Sequence, residues 1–133
     1  MFQINTKLDY GLITLRSLAL NYRNGPLSLS SIAADNHLPY HYLTQIINPL
    51  KRAGVVESYE GAKGGYTLTR KPEEISLREI TMILAPRKKL NRCLRTDHHA
   101  CKLKRTCGMS SWWFQFNMRF QKLIDNISLA DLV

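Results

Sequence analysis

The sequence lacks any long apolar run. No stretch reaches the roughly 18 apolar residues that a membrane-spanning helix needs, and residues 1–7 contain no apolar segment of signal-peptide type. We therefore expect a cytoplasmic protein that has no membrane partner. In that compartment thiols stay reduced, so stable disulfides are not the expected use of its cysteines.

The sequence also lacks the patterns that mark catalysis. No Ser/His/Asp or Cys/His arrangement is accompanied by the residues that would activate a nucleophile, and no phosphate-binding loop motif occurs. Hydrophobic residues make up 44% of the 133 positions, which is ordinary for one compact domain with its own core. These features predict a small globular protein that is not an enzyme.

Cysteine is scarce and unevenly placed. The three cysteines (Cys93, Cys101 and Cys107) lie in one loop, residues 87–107, and an odd count leaves one of them without an internal partner. Eight of the 19 Lys and Arg residues fall between residues 87 and 105, where Asp97 is the single acid. The net charge of +9 therefore comes mainly from this loop. Its positive charge is suited to balance a bound anionic group or to contact phosphates.

Thiols among cations indicate metal or redox chemistry, and several alternatives fit. Positive neighbours are expected to lower thiol pKa values and to offset the negative charge of an iron–sulfur cluster. Zinc could use three cysteines and a histidine, although structural zinc sites usually contain close C-x2-C pairs, which are absent here. A metal-free switch, in which two cysteines form a reversible disulfide, and purely structural cysteines complete the set.

The pattern near the N-terminus predicts a helix that Asn24-Gly25-Pro26 ends. Thr6-Lys7-Leu8-Asp9 is typical of a capping box, in which the Asp9 carboxylate returns to a free backbone N–H. From the local sequence alone, this cap explains Asp9 better than a ligand role does. The apolar residues at helical spacing are Leu8, Leu12, Leu15, Ala19 and Tyr22.

Two short helices separated by a tight turn follow, which is the pattern of a helix-turn-helix. Ser28 is the predicted N-cap of the first helix, Asn36-His37-Leu38 breaks the chain, and Pro39 suits the first position of the second. Pro49 is expected to loosen the last turn of that second helix. The residues predicted to face the core are Leu43, Ile46, Ile47 and Leu50.

The second of these helices has an outward polar face, made of His41, Tyr42, Thr44 and Gln45. A recognition helix lies in the major groove, where Gln45 can pair with adenine and Thr44 can meet a thymine methyl group. A generic polar helix surface is the alternative interpretation. The residues predicted to contact double-stranded DNA, from this helix and its surroundings, are Ser28, Tyr40, His41, Tyr42, Thr44, Gln45, Lys51, Arg52, Lys63 and Gly64.

A glycine-rich hairpin is predicted directly after the recognition helix. Its strands are residues 55–59 and 65–69, and the turn between them places Lys63 near a phosphate. A hairpin in this position is a wing. A capping box at Ser76 and a stop at Pro86 then predict one short helix that packs under the head.

A last helix is predicted to begin near Ser110 or Ser111. A small head cannot easily cover its aromatic surface, so we expect a two-fold homodimer that reads a palindromic operator. The alternative is a helix folded back on its own head, and a short turn is expected at residues 128–131. The predicted dimer seam steps by three and four residues through Trp113, Phe116, Phe120, Leu123 and Ile127.

The expected fold is therefore mainly α with a small β wing. Residues 1–86 form a winged helix-turn-helix head, residues 87–107 form a cysteine-bearing cofactor loop, and residues 108–133 form a long dimerisation helix with a C-terminal tail.

Nearly the whole chain resembles the IscR/NsrR-type family of bacterial winged-helix iron–sulfur regulators. The most specific matches are residues 50–58 (LKRAGVVES), the wing glycines before Tyr66, and residues 72–77 (PEEISL). The resemblance implies a homodimeric transcription regulator with an iron–sulfur cluster, of either the 2Fe–2S or the 4Fe–4S type. It also implies that the protein ligands of the cluster are Cys93, Cys101 and Cys107.

The resemblance also bears on the fourth ligand. Members that regulate iron–sulfur assembly use a histidine three residues after the last cysteine, where this chain has Ser110. Nitric-oxide-sensing members use an aspartate of the partner subunit near the start of helix one, and the matching residue is Asp9. Asp9 is thus the leading fourth ligand, with His98 and His99 as alternatives. The chain departs from the family at Glu60, where many members have arginine.

These observations predict a DNA-binding repressor that senses redox state, nitric oxide or iron–sulfur status. The alternative is a metal-free thiol switch or a zinc-binding winged-helix protein that binds another protein.

Overall fold

The structure, a computed structural model, describes residues 4–86, 91–96 and 100–133. Its helices and strands are α1 (Thr6–Leu20), α2 (Leu29–Asp35), α3 (Tyr40–Arg52), β1 (Val56–Tyr59), β2 (Gly65–Leu68), α4 (Leu77–Leu84) and α5 (Ser110–Asp125). Short 3-10 turns lie at Pro72–Glu74, Arg92–Leu94 and Leu129–Leu132. None of the helices in the described ranges is long and apolar enough to cross a membrane.

The residue that caps the start of helix α1 lies one position earlier in the chain than the sequence predicts. The N-cap is Asn5, whose side-chain oxygen accepts from Leu8 N at 2.8 Å, so the prediction of a capping box on Thr6 is wrong. Asn5 has the extended backbone of an N-cap, whereas Thr6 is already helical. Asp9 lies exposed in the first turn of the helix.

The core of the head lies between α1, α2, α3 and α4. Its largest fully buried side chains include Leu15, Ile32, Leu43, Ile46, Ile47, Leu50, Ile75 and Ile80. Each such side chain contributes roughly 1.5–3 kcal/mol through the apolar surface that it removes from water. The predicted inward face of the recognition helix is therefore confirmed.

The α2–turn–α3 unit has several local features that fix its shape. Ser28 caps α2 as predicted, since its hydroxyl accepts from Ser31 N at 3.1 Å. His37 adopts the left-handed region with φ of 53°. Pro39 precedes α3 as its N-cap rather than forming its first residue, and α3 continues past Pro49 to Arg52.

The wing is an antiparallel pair in which Val56 lies opposite Leu68 and Tyr59 opposite Gly65. Each strand is one residue shorter than predicted. The main chain of Leu27 exchanges two hydrogen bonds with Tyr66, at 3.0 and 2.8 Å, which attaches the wing to the head. A Cβ on Gly65 would lie 2.5 Å from the Leu27 carbonyl, so only glycine allows this close approach.

The C-terminal segment returns to the head after α5. Leu77 N donates to Ile127 O at 2.7 Å, and Leu129 N donates to Ile75 O at 2.8 Å. Leu129 has no solvent exposure and belongs to the head core. The predicted turn at residues 128–131 is present as a capped 3-10 turn.

Candidate nucleic-acid interface and thiol site

The start of α3 presents polar and aromatic side chains to solvent. Tyr40, His41 and Gln45 are exposed on the side opposite the buried core residues of the helix. The Thr44 hydroxyl, which is half-buried, donates to the His41 carbonyl at 2.7 Å. The helical periodicity of the sequence predicted that these side chains are exposed. A recognition helix uses exposed side chains of this kind to contact base edges.

Tyr42 differs from its neighbours on α3. It is half-buried and packs against the core rather than facing fully outward. Its ring meets the ring of Tyr10 on α1 edge to face, with centroids 5.5 Å apart and planes at 81°. The expectation that Tyr42 faces outward is thus only partly met, because a tertiary contact with α1 holds one side of the ring.

The end of α3 and the wing form a second basic region. Lys51 and Arg52 are exposed in the last turn of α3, and Lys51 Nζ donates to Ser58 Oγ at 2.6 Å. That bond ties the recognition helix to the wing. Lys63 is exposed at the wing tip, and a Cβ on Gly64 would overlap the Tyr59 carbonyl oxygen. Gly64 therefore has a role in forming the turn.

One face of the wing carries an acidic group that the sequence analysis did not single out. The Glu57 carboxylate accepts from the Tyr59 hydroxyl at 3.0 Å and from the Thr67 hydroxyl at 3.4 Å. The hydrogen bond to Glu57, and then its charge, raise the pKa of Tyr59. Because successive side chains of a strand point to opposite faces, Glu57 and Tyr59 lie on the same face, and this alternation could have identified the pair from the sequence.

The three cysteines are half-buried, and their thiols are free. Cys101 N donates to Arg92 O at 3.3 Å, which brings Cys101 beside the turn that holds Cys93. Cys101 and Cys107 both raise the pKa of the Cys93 thiol. The loop therefore brings the three thiols into one electrostatic neighbourhood.

The pKa of Cys93 moves opposite to the expectation from composition. Burial raises it most, and the neighbouring Cys101 and Cys107 raise it further. Lys104 lowers it, but less. The expected effect of a cation is therefore present at Lys104, but burial and the neighbouring thiols outweigh it, so that the net change in the pKa of Cys93 is upward.

A polar atom two residues before Cys93 lacks a partner in the part of the chain that the structure describes. The Asn91 side-chain oxygen is buried, and it accepts no hydrogen bond from the described residues. Within residues 4–86, 91–96 and 100–133, no three His, Cys, Asp or Glu side chains lie close enough to hold a single metal ion. The predicted alternatives His98 and His99 lie outside the described residues, and Asp9 is on α1 in the head.

Helix α5 turns part of its predicted seam toward its own head and leaves part exposed. Ile124 is buried, and Arg78 of α4 bonds Asp125 at 2.7 Å. Leu123 remains 58% exposed. The other predicted seam residues are half-buried: Trp113, Phe116, Phe120 and Ile127. The alternative of a helix folded on its own head is thus realised on one side only.

A second apolar strip lies on the far side of α5. Phe114 is 61% exposed and Met118 is 46% exposed. At 3.6 residues per turn these two project roughly opposite to Trp112 and Leu123. The rings of Trp112 and Phe116 stack with centroids 5.3 Å apart. Exposed apolar surface of this kind marks an interaction surface.

A helix-turn-helix followed by an attached wing, with a thiol loop and an apolar helix behind it, defines a winged-helix transcription regulator. The chain belongs to the Rrf2 family, described as iron-dependent transcriptional regulators, whose sequence model matches residues 4–133. Regulators of this family bind DNA and form dimers, and they are not enzymes.

Individual relatives agree with this assignment. The regulator CymR of Bacillus subtilis is 45% identical over 82 residues, which cover 62% of this chain and 59% of that protein. The solved structure of CymR, named the global cysteine regulator of B. subtilis, aligns with a TM-score of 0.78 and 34% identity over 99% of this chain and 96% of its own.

Two further relatives carry other names. The structure of T. potens IscR aligns with a TM-score of 0.76 and 33% identity over 98% of this chain and 85% of its own. The regulator NsrR of Shouchella clausii is 25% identical over 131 residues, which cover 98% of this chain and 88% of that protein. The resemblance to the IscR/NsrR-type family is therefore confirmed.

Proposed function

We propose that this chain is a cytoplasmic repressor that binds a palindromic operator as a homodimer and senses iron–sulfur or redox status at its thiol loop. The observation that carries the proposal is the fold of the loop, in which Cys101 N donates to Arg92 O at 3.3 Å and so places Cys101 beside the turn that holds Cys93, with Cys107 near enough to influence the same thiol. The loop leads directly into α5, whose exposed apolar side chains suit a dimer contact. A change at the thiols would therefore act next to the dimer contact.

The donor chemistry of the loop fits an iron–sulfur cluster better than zinc. A single zinc ion needs its ligands around one point, whereas a cluster distributes thiolate ligands over separate irons. Cys101 and Cys107 both influence the Cys93 thiol, and the described residues, which do not include His98 and His99, contain no group arranged around a single ion. Both points support the second case. Cys93, Cys101 and Cys107 would hold the group, which would supply sensitivity to oxidants and to nitric oxide.

Asp9 is the proposed fourth ligand, contributed by a partner subunit. Its position in an exposed first turn leaves the carboxylate accessible to another chain. His98 and His99 are the alternatives within the loop. Replacing Asp9 by Ala should leave the dimer intact and change either cluster stability or the DNA response. If neither changes, Asp9 has no part in the site.

On the DNA side, Tyr40, His41, Thr44 and Gln45 are proposed to read bases. Ser28, Lys51, Arg52, Lys63 and the Gly64 backbone are proposed to hold the sugar–phosphate chain. Tyr42 is proposed to contact DNA as well, through the part of its ring that Tyr10 does not cover. Binding by the basic residues should weaken steeply as salt rises, because phosphate contacts release counterions.

The test combines anaerobic purification with spectroscopy. The protein should be brown, absorb in the visible range and contain iron and sulfide in comparable amounts. Cys93→Ser should remove the colour, whereas Thr106→Ala, an exposed neighbour in the same loop, should keep it. A colourless wild-type protein that binds no iron would overturn the cluster and leave the DNA-binding assignment in place.

A metal-free thiol switch is the second candidate, and the position of Cys101 beside the turn that holds Cys93 favours it. Hydrogen peroxide would take two electrons and two protons from these thiols, giving one disulfide and two waters. Mass spectrometry of peptides from peroxide-treated protein would then show one Cys93–Cys101 link. A protein that is colourless but forms this link would support the switch over the cluster.

A further inference from the structure

Helix α1 forms the support on which the helix-turn-helix rests. Tyr10 lies half-buried on the side of α1 toward α3, and its ring packs edge to face on Tyr42. Such aromatic pairs prefer defined angles and distances. The contact therefore restrains the ring of Tyr42 and, with it, the start of the recognition helix.

The residue after Tyr10 removes any space between the helices. A Cβ on Gly11 would overlap the side chain of Leu84 on α4 and would lie 3.5 Å from Ile46 Cγ2 on α3. The backbone of α1 thus lies directly against both helices at this turn. Because close-packed interiors resist small displacements, a displacement of α1 at this point should be transmitted to α3 and α4.

A polar contact attaches the other helix of the motif to α1. The Asn36 side chain, at the end of α2, donates to Ser17 Oγ at 3.1 Å and to Ile32 O at 2.9 Å. Both helices of the helix-turn-helix are therefore attached to α1. Helix α2 is attached through Asn36, and helix α3 is attached through Tyr42.

We propose that Tyr10 is a positioning residue for DNA recognition. By holding Tyr42, it sets the angle at which the first turn of α3 offers Tyr40, His41 and Gln45 to the major groove. Tyr10 is partly buried against the head core, and this role requires no contact of its own with DNA. A second part of the proposal rests on the proposed function. Tyr10 follows Asp9, so a bond made by the Asp9 carboxylate reaches the recognition helix through one neighbouring side chain.

The test measures DNA affinity on a duplex selected from a random library by the wild-type protein. Tyr10→Leu should weaken binding about 2- to 12-fold, the effect of losing one edge-to-face aromatic pair. Tyr10→Phe keeps the ring and should bind as the wild type does. The slope of log affinity against log salt should stay unchanged in Tyr10→Leu, since no phosphate contact is lost.

A double-mutant cycle separates positioning from general destabilisation. In a Tyr42→Leu background, Tyr10→Leu should have no further effect on DNA affinity, because the contact is already gone. Tyr22→Leu is the matched control, since Tyr22 is another half-buried tyrosine that lies just after the end of α1 and packs against the same core. It should lower thermal stability and leave DNA affinity unchanged. Additive effects of Tyr10→Leu and Tyr42→Leu would overturn the proposal.

The link to Asp9 has its own readout. Iron- and sulfide-reconstituted protein and iron-free protein should differ in DNA affinity, and Tyr10→Leu should reduce that difference while the visible absorption of the reconstituted form stays the same. An undiminished difference would overturn the link. A wild-type protein that enriches no duplex would instead overturn the proposed function, before Tyr10 is tested at all.

Discussion

The head and the segment from Asn91 to Asp125 use the same apolar residue types in opposite ways. In the head, leucine and isoleucine side chains close a core that the chain completes by itself. In the described part of the segment, Ile124 is the single buried side chain, whereas Leu103, Phe114 and Leu123 are more than half exposed. An exposed apolar helix face of this kind is typical of an interaction surface.

Polar groups show the same contrast. In the head, Asn5, Ser28 and Ser76 each cap a helix with their own side chains, and α3, with Pro39 at its N-cap, is the exception. In the segment, Met109 gives α5 no side-chain cap, and the buried Asn91 oxygen lacks a partner among the described residues. An unpartnered buried polar atom costs about 1–3 kcal/mol. The difference teaches that the head buries a continuous core of its own, whereas the described part of the segment buries little apolar surface within one chain.

The largest difference in stability should appear when one leucine is truncated in the head core and another is truncated on the exposed face of α5. Leu129→Ala should lower the free energy of unfolding by about 2–5 kcal/mol, because it opens a cavity in the head core. Chemical denaturation at fixed protein concentration measures this effect. Leu129 follows α5 in the chain, yet its side chain has no solvent exposure.

Leu123→Ala is the matched control, since it removes the same atoms from an exposed position on α5. At dilutions where the chain is monomeric, its effect on unfolding should stay within about 0.5 kcal/mol. Equal costs for the two substitutions would mean that the head and the segment do not differ as described.

The next largest effect should fall on assembly. Leu123→Glu places a charge in the exposed apolar face of α5, and we expect the dimer to weaken by about 2–4 kcal/mol. Sedimentation equilibrium measures the change. Gln115→Glu adds the same charge at another exposed position of α5, outside the apolar strips. A dimer that tolerates Leu123→Glu would place the contact elsewhere, the strip of Phe114 and Met118 being the first to test.

Local patterns predicted most of the head. The spacing of Leu43, Ile46 and Leu50, the glycines of the wing, and the caps at Ser28 and Ser76 are short-range signals, and the structure has the elements that they indicate. The contact of Leu129 with the head core has no local signal. It depends on backbone bonds to Ile75, far earlier in the chain, which composition and periodicity do not specify.

The site was predictable to a smaller extent, for the same reason. Helical periodicity identified the exposed row at the start of α3, but Tyr42 turned out to be held by Tyr10, a contact between separate helices. Counting cations in the loop gave the wrong direction for the pKa of Cys93. Burial and neighbouring thiols raise it, and those are three-dimensional properties.

A smaller effect is expected at the turn of the helix-turn-helix. His37 has φ of 53°, a conformation that histidine tolerates and that β-branched residues strongly disfavour. His37→Val should therefore cost about 1–2 kcal/mol of stability, whereas His37→Gly should cost nothing or stabilise slightly. Thermal unfolding measures both variants. His41→Val, at an exposed helical position, should cost only about 0.5 kcal/mol. If His37→Val costs no more than that, the turn does not require the left-handed conformation.

The smallest effect should come from the ion pair that joins the two regions. Arg78 and Asp125 connect α4 to α5 at 2.7 Å, and their side chains are 42% and 41% exposed. Water and salt screen a pair with this exposure, so Asp125→Asn should cost less than about 1 kcal/mol. The backbone bond from Leu77 to Ile127 and the buried Leu129 already hold the end of α5 to the head. A cycle with Arg78→Gln, measured at low and high salt, should give a coupling energy that disappears in salt. A coupling of several kcal/mol that persists in salt would mean that the pair itself joins α5 to the head, and the attachment of the two regions would then be electrostatic rather than apolar.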